Sequence, residues 1–219
     1  SAVESKPFDQ AKQALEQENF SIISLRDNAL LRIQRGPAHS VSQNGNYTRE
    51  GFIYTPSQDL VYLVRNSPIL ESPVEATEAH RQNQEFYPTK DQIERALAES
   101  VEIPYDAKPI PTKRFKDDPI TVFAFQDQAE PFGDFLNENN IKAWPISLIG
   151  DRKYVNSQRA SFARQNWFRR LDAGSELSGF DRVLSSDIDV RGVRSVVAQN
   201  FSYIERILTL LSIYISSFI

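Results

Sequence analysis

The residues best suited to chemistry lie together in a segment that separates cations from acids. Residues 152–170 contain no Asp or Glu, and the nineteen residues that follow contain five. The cations of the segment are Arg152, Lys153, Arg159, Arg164, Arg169 and Arg170. Its aromatic contact residues are Tyr154, Trp167 and Phe168. Guanidinium groups suit phosphate or carboxylate, and aromatic rings can stack on bases. The segment therefore predicts a surface for an anionic partner, either nucleic acid or an acidic protein.

A helix over residues 156–171 would position these side chains, with Asn156 or Ser157 as its cap. A turn of about 100° per residue places small and apolar side chains on the Trp167 face and arginines at its borders. The arginines would then be held at the rim of a packed helix. A second interpretation is a solvated amphipathic helix whose arginines line the core edge or pair with the acids of 172–189.

A carboxylate pair follows at Asp187 and Asp189. Alternate residues of a strand point to the same side, so the two could share one Mg²⁺ ion. Together with Gly174-Ser175, this pair resembles the nucleotidyltransferase signature, in which a Gly-Ser turn grips a triphosphate and an Asp-x-Asp pair holds a divalent metal. The resemblance implies a metal-dependent phosphoryl or nucleotidyl transfer enzyme. The alternative is a polar loop in which Asp187 caps a turn or pairs with Arg191 or Arg194.

Composition excludes several classes of protein. The 219 residues contain no cysteine, which excludes disulfides, thiol catalysis and cysteine metal sites. With two histidines, a metal site would need mostly carboxylates. The net charge of −4 argues against general attraction to nucleic acid, so the cationic segment would be a local site. The lack of cysteine, and of an apolar run in the first nineteen residues, predicts a cytoplasmic location.

Residues 1–103 alternate between helical and strand-like patterns. Apolar spacing and helix-start residues predict helices at 7–18, 73–85 and 89–100. Runs of β-branched and aromatic residues around turn signals predict two hairpins, one from 20–25 with 29–34 and one from 52–54 with 60–64. A polar loop is expected at 36–50. The region is therefore predicted to be an antiparallel, hairpin-rich sheet with helices.

The pattern of apolar and polar residues changes after residues 104–118. These residues are rich in proline, which predicts an extended connector. Beyond it, residues 119–219 are predicted to form an α/β region. Strand-like runs at 120–125 and 141–149 flank a helical segment at 130–139, which is the pattern of a βαβ unit. The predicted fold class is α+β, with a hairpin-rich N-terminal region and an α/β C-terminal region that pack as one compact unit.

The last predicted element is a long helix at 196–219. Apolar residues recur at spacings of three and four over 201–219, and residues 207–219 carry no charge. Thirteen uncharged residues are few for a membrane crossing, so a membrane segment is not favoured. The pattern predicts a buried core helix or the interface of a homo-oligomer.

Three functions are compatible with these observations. The first is a non-catalytic binding or assembly module without a cofactor, which binds an anionic partner through its cationic and aromatic segment. The second is an enzyme that uses Mg²⁺ held by Asp187 and Asp189. The third is a structural subunit that assembles through residues 201–219. An enzyme is the less favoured class, since no established catalytic motif is present.

Overall fold

The computed structural model describes residues 1–149, 152–179 and 184–194. Its strands are β1 (Ala2–Lys6), β2 (Ser21–Ile22), β3 (Asn46–Thr55), β4 (Leu60–Val64), β5 (Ser100–Ile103), β6 (Ile110–Pro111), β7 (Ala143–Trp144), β8 (Ile146–Ser147), β9 (Phe162–Phe168), β10 (Leu177–Ser178) and β11 (Ile188–Val193). Its α-helices are α1 (Phe8–Gln17), α2 (Leu25–Arg35), α3 (Ser40–Gln43), α4 (Pro73–Arg81), α5 (Lys90–Leu97), α6 (Pro119–Phe125), α7 (Ala129–Glu138) and α8 (Arg152–Ser157). The prediction of a mixed α and β fold is confirmed.

Strand β3 organises the main sheet. It pairs with β9 in antiparallel orientation along one side. Along its other side, the C-terminal half pairs with β4, and Tyr47 near its N-terminus pairs with Val190 of the parallel strand β11. Strand β1 extends the sheet beyond β11, β5 pairs with β4, and β10 and β8 extend it beyond β9. Three distant parts of the chain therefore meet around one strand.

The largest core cluster contains residues from both predicted regions of the chain. Phe52 of β3 and Phe168 of β9 share it with Phe125, Phe132 and Trp144. Several of these rings pack at tilted or edge-on angles, with centroids 4.8–6.1 Å apart. Residues 104–118, the predicted connector, contribute two buried side chains to the same cluster. Sheet and helices therefore bury a continuous apolar interior.

Local chemistry predicts several elements correctly. The predicted helix at 7–18 is confirmed as α1 (Phe8–Gln17), with Pro7 as its N-cap residue instead of a residue of its first turn. Helix α5 begins with a capping box, in which the Thr89 hydroxyl accepts from the Gln92 backbone N–H and the Gln92 side chain accepts from that of Thr89. The predicted hairpin of 52–54 with 60–64 is confirmed by the β3–β4 pair, and helix α4 lies within the predicted 73–85.

The predicted hairpin of 20–25 with 29–34 is wrong, because residues 25–35 form helix α2. The Ser24 hydroxyl caps this helix by accepting from the Asp27 N–H at 3.0 Å. The buried positions 25, 28, 29 and 32 follow the helical period. Within the predicted polar loop 36–50, residues 40–43 form helix α3, and β3 begins at residue 46.

The predicted βαβ unit is also wrong. Residues 120–125 belong to helix α6, because the Asp118 carboxylate accepts from the N–H groups of Ile120 and Thr121, and Pro119 occupies the first turn. The helix at 130–139 is confirmed as α7, whereas 141–149 contains only the two-residue strands β7 and β8. A strong cap has overridden the strand preference of an apolar run.

The helix predicted over 156–171 does not form either. Residues 162–168 are strand β9, whose side chains are mostly buried on both faces of the sheet. One edge of β9 pairs with β3, and the C-terminal end of its other edge pairs with β10. Its amides bond across to β3: Gln165 donates to the Glu50 carbonyl at 2.9 Å, and Asn166 donates to the Thr48 hydroxyl at 2.9 Å. The predicted helix at 196–219 lies outside the described residues. Among those described, no helix is long and apolar enough to span a membrane.

Candidate functional site

A polar cleft of about 500 Å³ opens at the N-terminal end of β3. Its lining residues are Gln43, Asn44, Gly45, Trp167, Arg169, Arg170, Ala173, Asp187, Ile188 and Asp189. The sheet explains why they meet. Because β9 is antiparallel to β3 and β11 is parallel to it, the C-terminal end of β9 and the start of β11 lie beside the same end of β3. Five predicted site residues are therefore brought into one concavity.

The indole of Trp167 forms an apolar wall of the polar cleft. Trp167 is opposite Tyr47 in the β3–β9 pair, and the two rings meet edge-on with centroids 5.2 Å apart. The backbone of Gly45 also lies against the indole, so that any Cβ atom at this position would lie 2.6 Å from it. Glycine is therefore required at position 45 if the indole is to keep this position, and only 8% of Trp167 remains exposed.

The cations of the polar cleft are balanced by carboxylates of their own loop. The Arg169 Nε lies 3.7 Å from a Glu176 carboxylate oxygen. The Arg170 Nε lies 2.9 Å from Asp172, in a pair that is well exposed to solvent. An exposed pair of this kind is weak and can be exchanged for a ligand at little cost. Arg170 is therefore the arginine of the cleft that can most easily give up its ion pair and bind a ligand.

The acids of the polar cleft come from β11 and the residue before it. Asp187 is exposed, whereas Asp189 accepts a hydrogen bond from the hydroxyl of Ser5, its partner in the β1–β11 pair. Among the described residues, no group of three or more His, Asp or Glu side chains is arranged to hold a metal ion. The two carboxylates can thus accept hydrogen bonds from a ligand, but they form only a partial ligand set for Mg²⁺.

Ser175 of the predicted Gly-Ser turn is wholly buried and already bonded. Its hydroxyl accepts from the Arg32 guanidinium at 2.5 Å, and its carbonyl accepts from the Trp144 indole N–H. Gly174 lines a second cleft of about 730 Å³, which shares Gln43 and Asn44 with the polar cleft. The turn is therefore not open to a triphosphate, as the nucleotidyltransferase signature would require.

Two predicted contact residues face the interior. Arg164 on β9 forms a two-point ion pair with Glu85, in which the Nε–Oε2 distance is 2.9 Å and the carboxylate side chain is 3% exposed. Phe168 is wholly buried beneath the Arg32 guanidinium. Charge pairing and burial keep both side chains away from an external ligand, and the reason is the strand geometry of β9, which directs these side chains inward.

The remaining predicted contacts lie on and just after helix α8. Arg152 pairs with Asp59, and its guanidinium carbon lies 5.4 Å from the centre of the Tyr105 ring. Tyr154 donates its hydroxyl to Glu85 at 2.7 Å. Lys153 and Arg159 are exposed. The predicted cationic and aromatic surface is thus divided into the polar cleft and this separate patch.

Sequence patterns do not reveal the role of Arg32, which supports the loop that lines the polar cleft. It is fully buried, and burial lowers its pKa to about 9. The guanidinium donates to the Asn28 side chain at 2.9 Å, to the Ser175 hydroxyl and to the Arg169 carbonyl at 2.8 Å. The sequence signal that could have indicated this role is the polar pair at positions 28 and 32, one helical turn apart on the face that α2 buries.

Comparison with known proteins establishes the fold. No family model and no curated protein matches the sequence. A solved structure described as "Accommodation of massive sequence variation in Nanoarchaeota by the C-type lectin fold" superimposes with a TM-score of 0.66 and 17% sequence identity. The match covers 88% of this chain and 95% of that chain. At this identity the likeness concerns the fold alone, and the chain is similar in fold to a C-type lectin domain.

Proposed function

We propose that this chain is a non-catalytic binding module whose ligand occupies the polar cleft. The observation that carries the proposal is the convergence of an indole, two guanidinium groups and two carboxylates at one end of β3. Trp167 and Asp189 are held by the sheet, and Arg169 belongs to the loop that Arg32 anchors. A site that is organised before binding loses less conformational entropy when the ligand arrives.

The charge of the polar cleft selects the ligand class. The lining contains two arginines, Arg169 and Arg170, and two aspartates, Asp187 and Asp189, so its formal charges cancel. A polyanion such as nucleic acid would gain guanidinium contacts and face two carboxylates at once, which costs several kcal/mol for like-charge contacts. A neutral ligand with many hydroxyl groups can donate to the carboxylates and accept from the guanidiniums. The best-fitting class is a saccharide.

The likeness to the C-type lectin fold is compatible with this ligand class but does not identify a ligand, because one fold carries many functions. Gln43 and Asn44 line both the polar cleft and the second cleft, so the two clefts adjoin. An oligosaccharide longer than one ring would reach both. The proposal therefore favours an extended chain of sugar units over a single one.

A screen against immobilised oligosaccharides, followed by calorimetry on the best ligand, tests the proposal. Asp187→Asn and Arg170→Gln should each weaken binding by about fivefold or more, since each loses a charged hydrogen bond worth about 1 kcal/mol or more. Asp91→Asn makes the same chemical change on the exposed surface of α5 and should bind like the wild type. The proposal is wrong if no saccharide binds, or if the α5 variant loses as much affinity.

A further inference from the structure

A further cleft lies beside helix α2, where β2 pairs with the end of β11. It has a volume of about 490 Å³ and shares no lining residue with the polar cleft or the second cleft. We refer to it as the α2 cleft. Concavities of this size accept small molecules. Its lining includes Ile22, Asp27, Leu30, Leu31, Arg49 and Val193.

One part of the α2 cleft is apolar and lies outside the core. Leu30 and Leu31 of α2 are half-buried, and neither belongs to a core cluster of the described residues. Val193 of β11 is half-buried as well, whereas Ile22 is buried. Covering such side chains with an apolar group is favourable in proportion to the area removed from water. The cleft therefore offers a surface for an apolar chain.

Arg49 supplies the α2 cleft with a cation that lacks a strong partner. Its side chain is 40% exposed, and its guanidinium forms no hydrogen bond with the residues that the structure describes. Its ion pair is with Glu50, and the Nε–Oε1 distance of 4.0 Å is too long for a hydrogen bond. Burial raises the pKa of Glu50 to about 7, so this carboxyl is only partly ionised at neutral pH. The Arg49 guanidinium can therefore donate to an external anion without breaking an internal hydrogen bond.

Arg191 adds a positive charge behind the α2 cleft. It lies two residues before Val193, on the same side of β11, and is 3% exposed. Its Nη1 lies 3.4 Å from the hydroxyl of Ser1, which lines the cleft, and its Nε has no hydrogen-bond partner. Burial lowers the pKa of Arg191, and the charge of Asp189, which already accepts from Ser5, opposes this shift. A buried guanidinium with so few acceptors favours a negative charge nearby.

The acid of the α2 cleft does not offset these cations. The lining contains one acid, Asp27, and two arginines, Arg49 and Arg194. Asp27 is engaged by Arg26, with an Nη1–Oδ1 distance of 2.7 Å. The guanidinium of Arg194 lies 4.7 Å from the centre of the Phe20 ring. The balance of charge around the cleft is therefore positive.

We propose that the α2 cleft binds a small carboxylic acid with an apolar chain, whose carboxylate pairs with Arg49 and whose chain covers Leu30 and Leu31. This ligand is distinct from the ligand of the polar cleft. The planar fork of a guanidinium matches a carboxylate, which can accept two parallel hydrogen bonds from it. A phosphate monoester fits less well, because it carries nearly two negative charges and Asp27 opposes the second.

Calorimetry with octanoate on the full chain tests the proposal, with 1-octanol and acetate as matched controls. Octanoate should bind at a saturable site and about tenfold more tightly than 1-octanol, because the alcohol cannot form the charge-assisted pair. Acetate should bind about a hundredfold more weakly than octanoate or less, because it leaves the leucines uncovered. Equal affinity for octanoate and 1-octanol, or the absence of saturable octanoate binding, would overturn the proposal.

Variants locate the site of octanoate binding. Arg49→Gln should remove the preference for octanoate over 1-octanol, whereas Arg49→Lys should keep part of it, since lysine retains the charge but lacks the planar fork. Leu31→Gln should weaken both ligands severalfold. The matched control is Arg35→Gln, which removes a cation at an exposed position of α2 outside the cleft and should leave the preference unchanged. An equal loss in that control would mean that net charge alone attracts the anion, which contradicts the proposal.

The α2 cleft and the polar cleft have separate readouts. Asp187→Asn and Arg170→Gln should leave octanoate binding unchanged, and Arg49→Gln should leave saccharide binding unchanged. If the polar-cleft variants weaken octanoate as much as Arg49→Gln does, octanoate occupies the polar cleft and the proposal for the α2 cleft is wrong. Failure of one proposal is therefore distinguishable from failure of the other.

Discussion

The guanidinium carbon of Arg32 lies 3.9 Å from the centre of the Phe168 ring, and both side chains are wholly buried. No carboxylate of the described part of the chain forms an ion pair with Arg32, so its charge is compensated by a ring face and three neutral acceptors. Two of the acceptors, on Arg169 and Ser175, lie at the two ends of the loop that lines both clefts. Arg32 of helix α2 therefore holds both ends of this loop by hydrogen bonds.

Arg32→Lys is expected to lower the free energy of unfolding by about 2–4 kcal/mol. A lysine keeps the charge, but its single nitrogen cannot replace the planar fork that reaches three separate acceptors, and each buried polar group left unpaired costs about 1–3 kcal/mol. Urea unfolding measures the change. Arg35→Lys, at an exposed position of the same helix, should change stability by less than about 0.5 kcal/mol. Equal stability of the two variants would contradict the role of Arg32.

The elements that the sequence predicts correctly are those defined by local chemistry. Thr89 and Gln92 form a capping box that is visible as a four-residue motif, and the β3–β4 hairpin turns at Asp59, whose backbone is left-handed. The errors at α2 and α6 have one cause. Their apolar runs suit strands as well as helices, and only the caps and the burial pattern decide between them.

Strand β9 could not be identified in this way, because its pairing partners are distant in the sequence. Trp167 pairs with Tyr47, 120 positions earlier, and β3 also pairs with β11. This arrangement brings Trp167 and Asp187 into one cleft. The sequence indicates the chemical types of the site residues, but their convergence depends on long-range pairing, which no local pattern specifies.

Gly45→Ala is expected to displace Trp167 and weaken saccharide binding. The new methyl group would meet the indole at 2.6 Å, which is closer than any tolerated contact, so the ring must move. A loss of about 1–3 kcal/mol in stability and a change in tryptophan emission should follow.

The matched control for this substitution is Gly36→Ala. At that position the backbone has φ of +79° and ψ of 175°, a conformation adopted almost exclusively by glycine, and no atom lies within 4 Å of a new Cβ. The control should cost about 1–3 kcal/mol through backbone strain while leaving the emission of Trp167 unchanged. If both variants shift the emission equally, the change reports general loosening, and the contact between Gly45 and Trp167 does not define the cleft.

Stability is expected to fall as the pH rises through the range in which Glu50 ionises. Burial raises the pKa of Glu50 to about 7, from about 4.5 in the unfolded chain, and the nearby Arg49 opposes this rise. Below pH 4.5 the carboxyl is protonated in both states, so its contribution to stability is fully present. Between pH 4.5 and 7 only the unfolded chain ionises, and about 3 kcal/mol is lost.

Glu50→Gln isolates this effect. The amide oxygen can still accept from the Leu25 N–H, which the carboxylate accepts at 3.0 Å, but the side chain no longer titrates. Relative to the wild type, the variant should gain stability as the pH rises from 4.5 to 8. Glu102→Gln, at an exposed position, should follow the wild-type pH profile. Parallel profiles for the wild type and Glu50→Gln in thermal unfolding would show that Glu50 is ionised in the folded protein.

Saccharide binding is expected to be independent of divalent metal ions. Asp187 and Asp189 supply two carboxylates, one of them already bonded to Ser5, whereas Mg²⁺ takes six oxygen ligands and Ca²⁺ six to eight. Calorimetry should therefore give the same affinity in EDTA and in millimolar Mg²⁺ or Ca²⁺. Asp187→Asn should weaken saccharide binding equally under all three conditions, because the lost interaction is a hydrogen bond to the sugar. If the affinity instead rises with Mg²⁺ and Asp187→Asn abolishes that rise, the carboxylate pair holds a metal, and the phosphoryl or nucleotidyl transfer enzyme becomes the better interpretation.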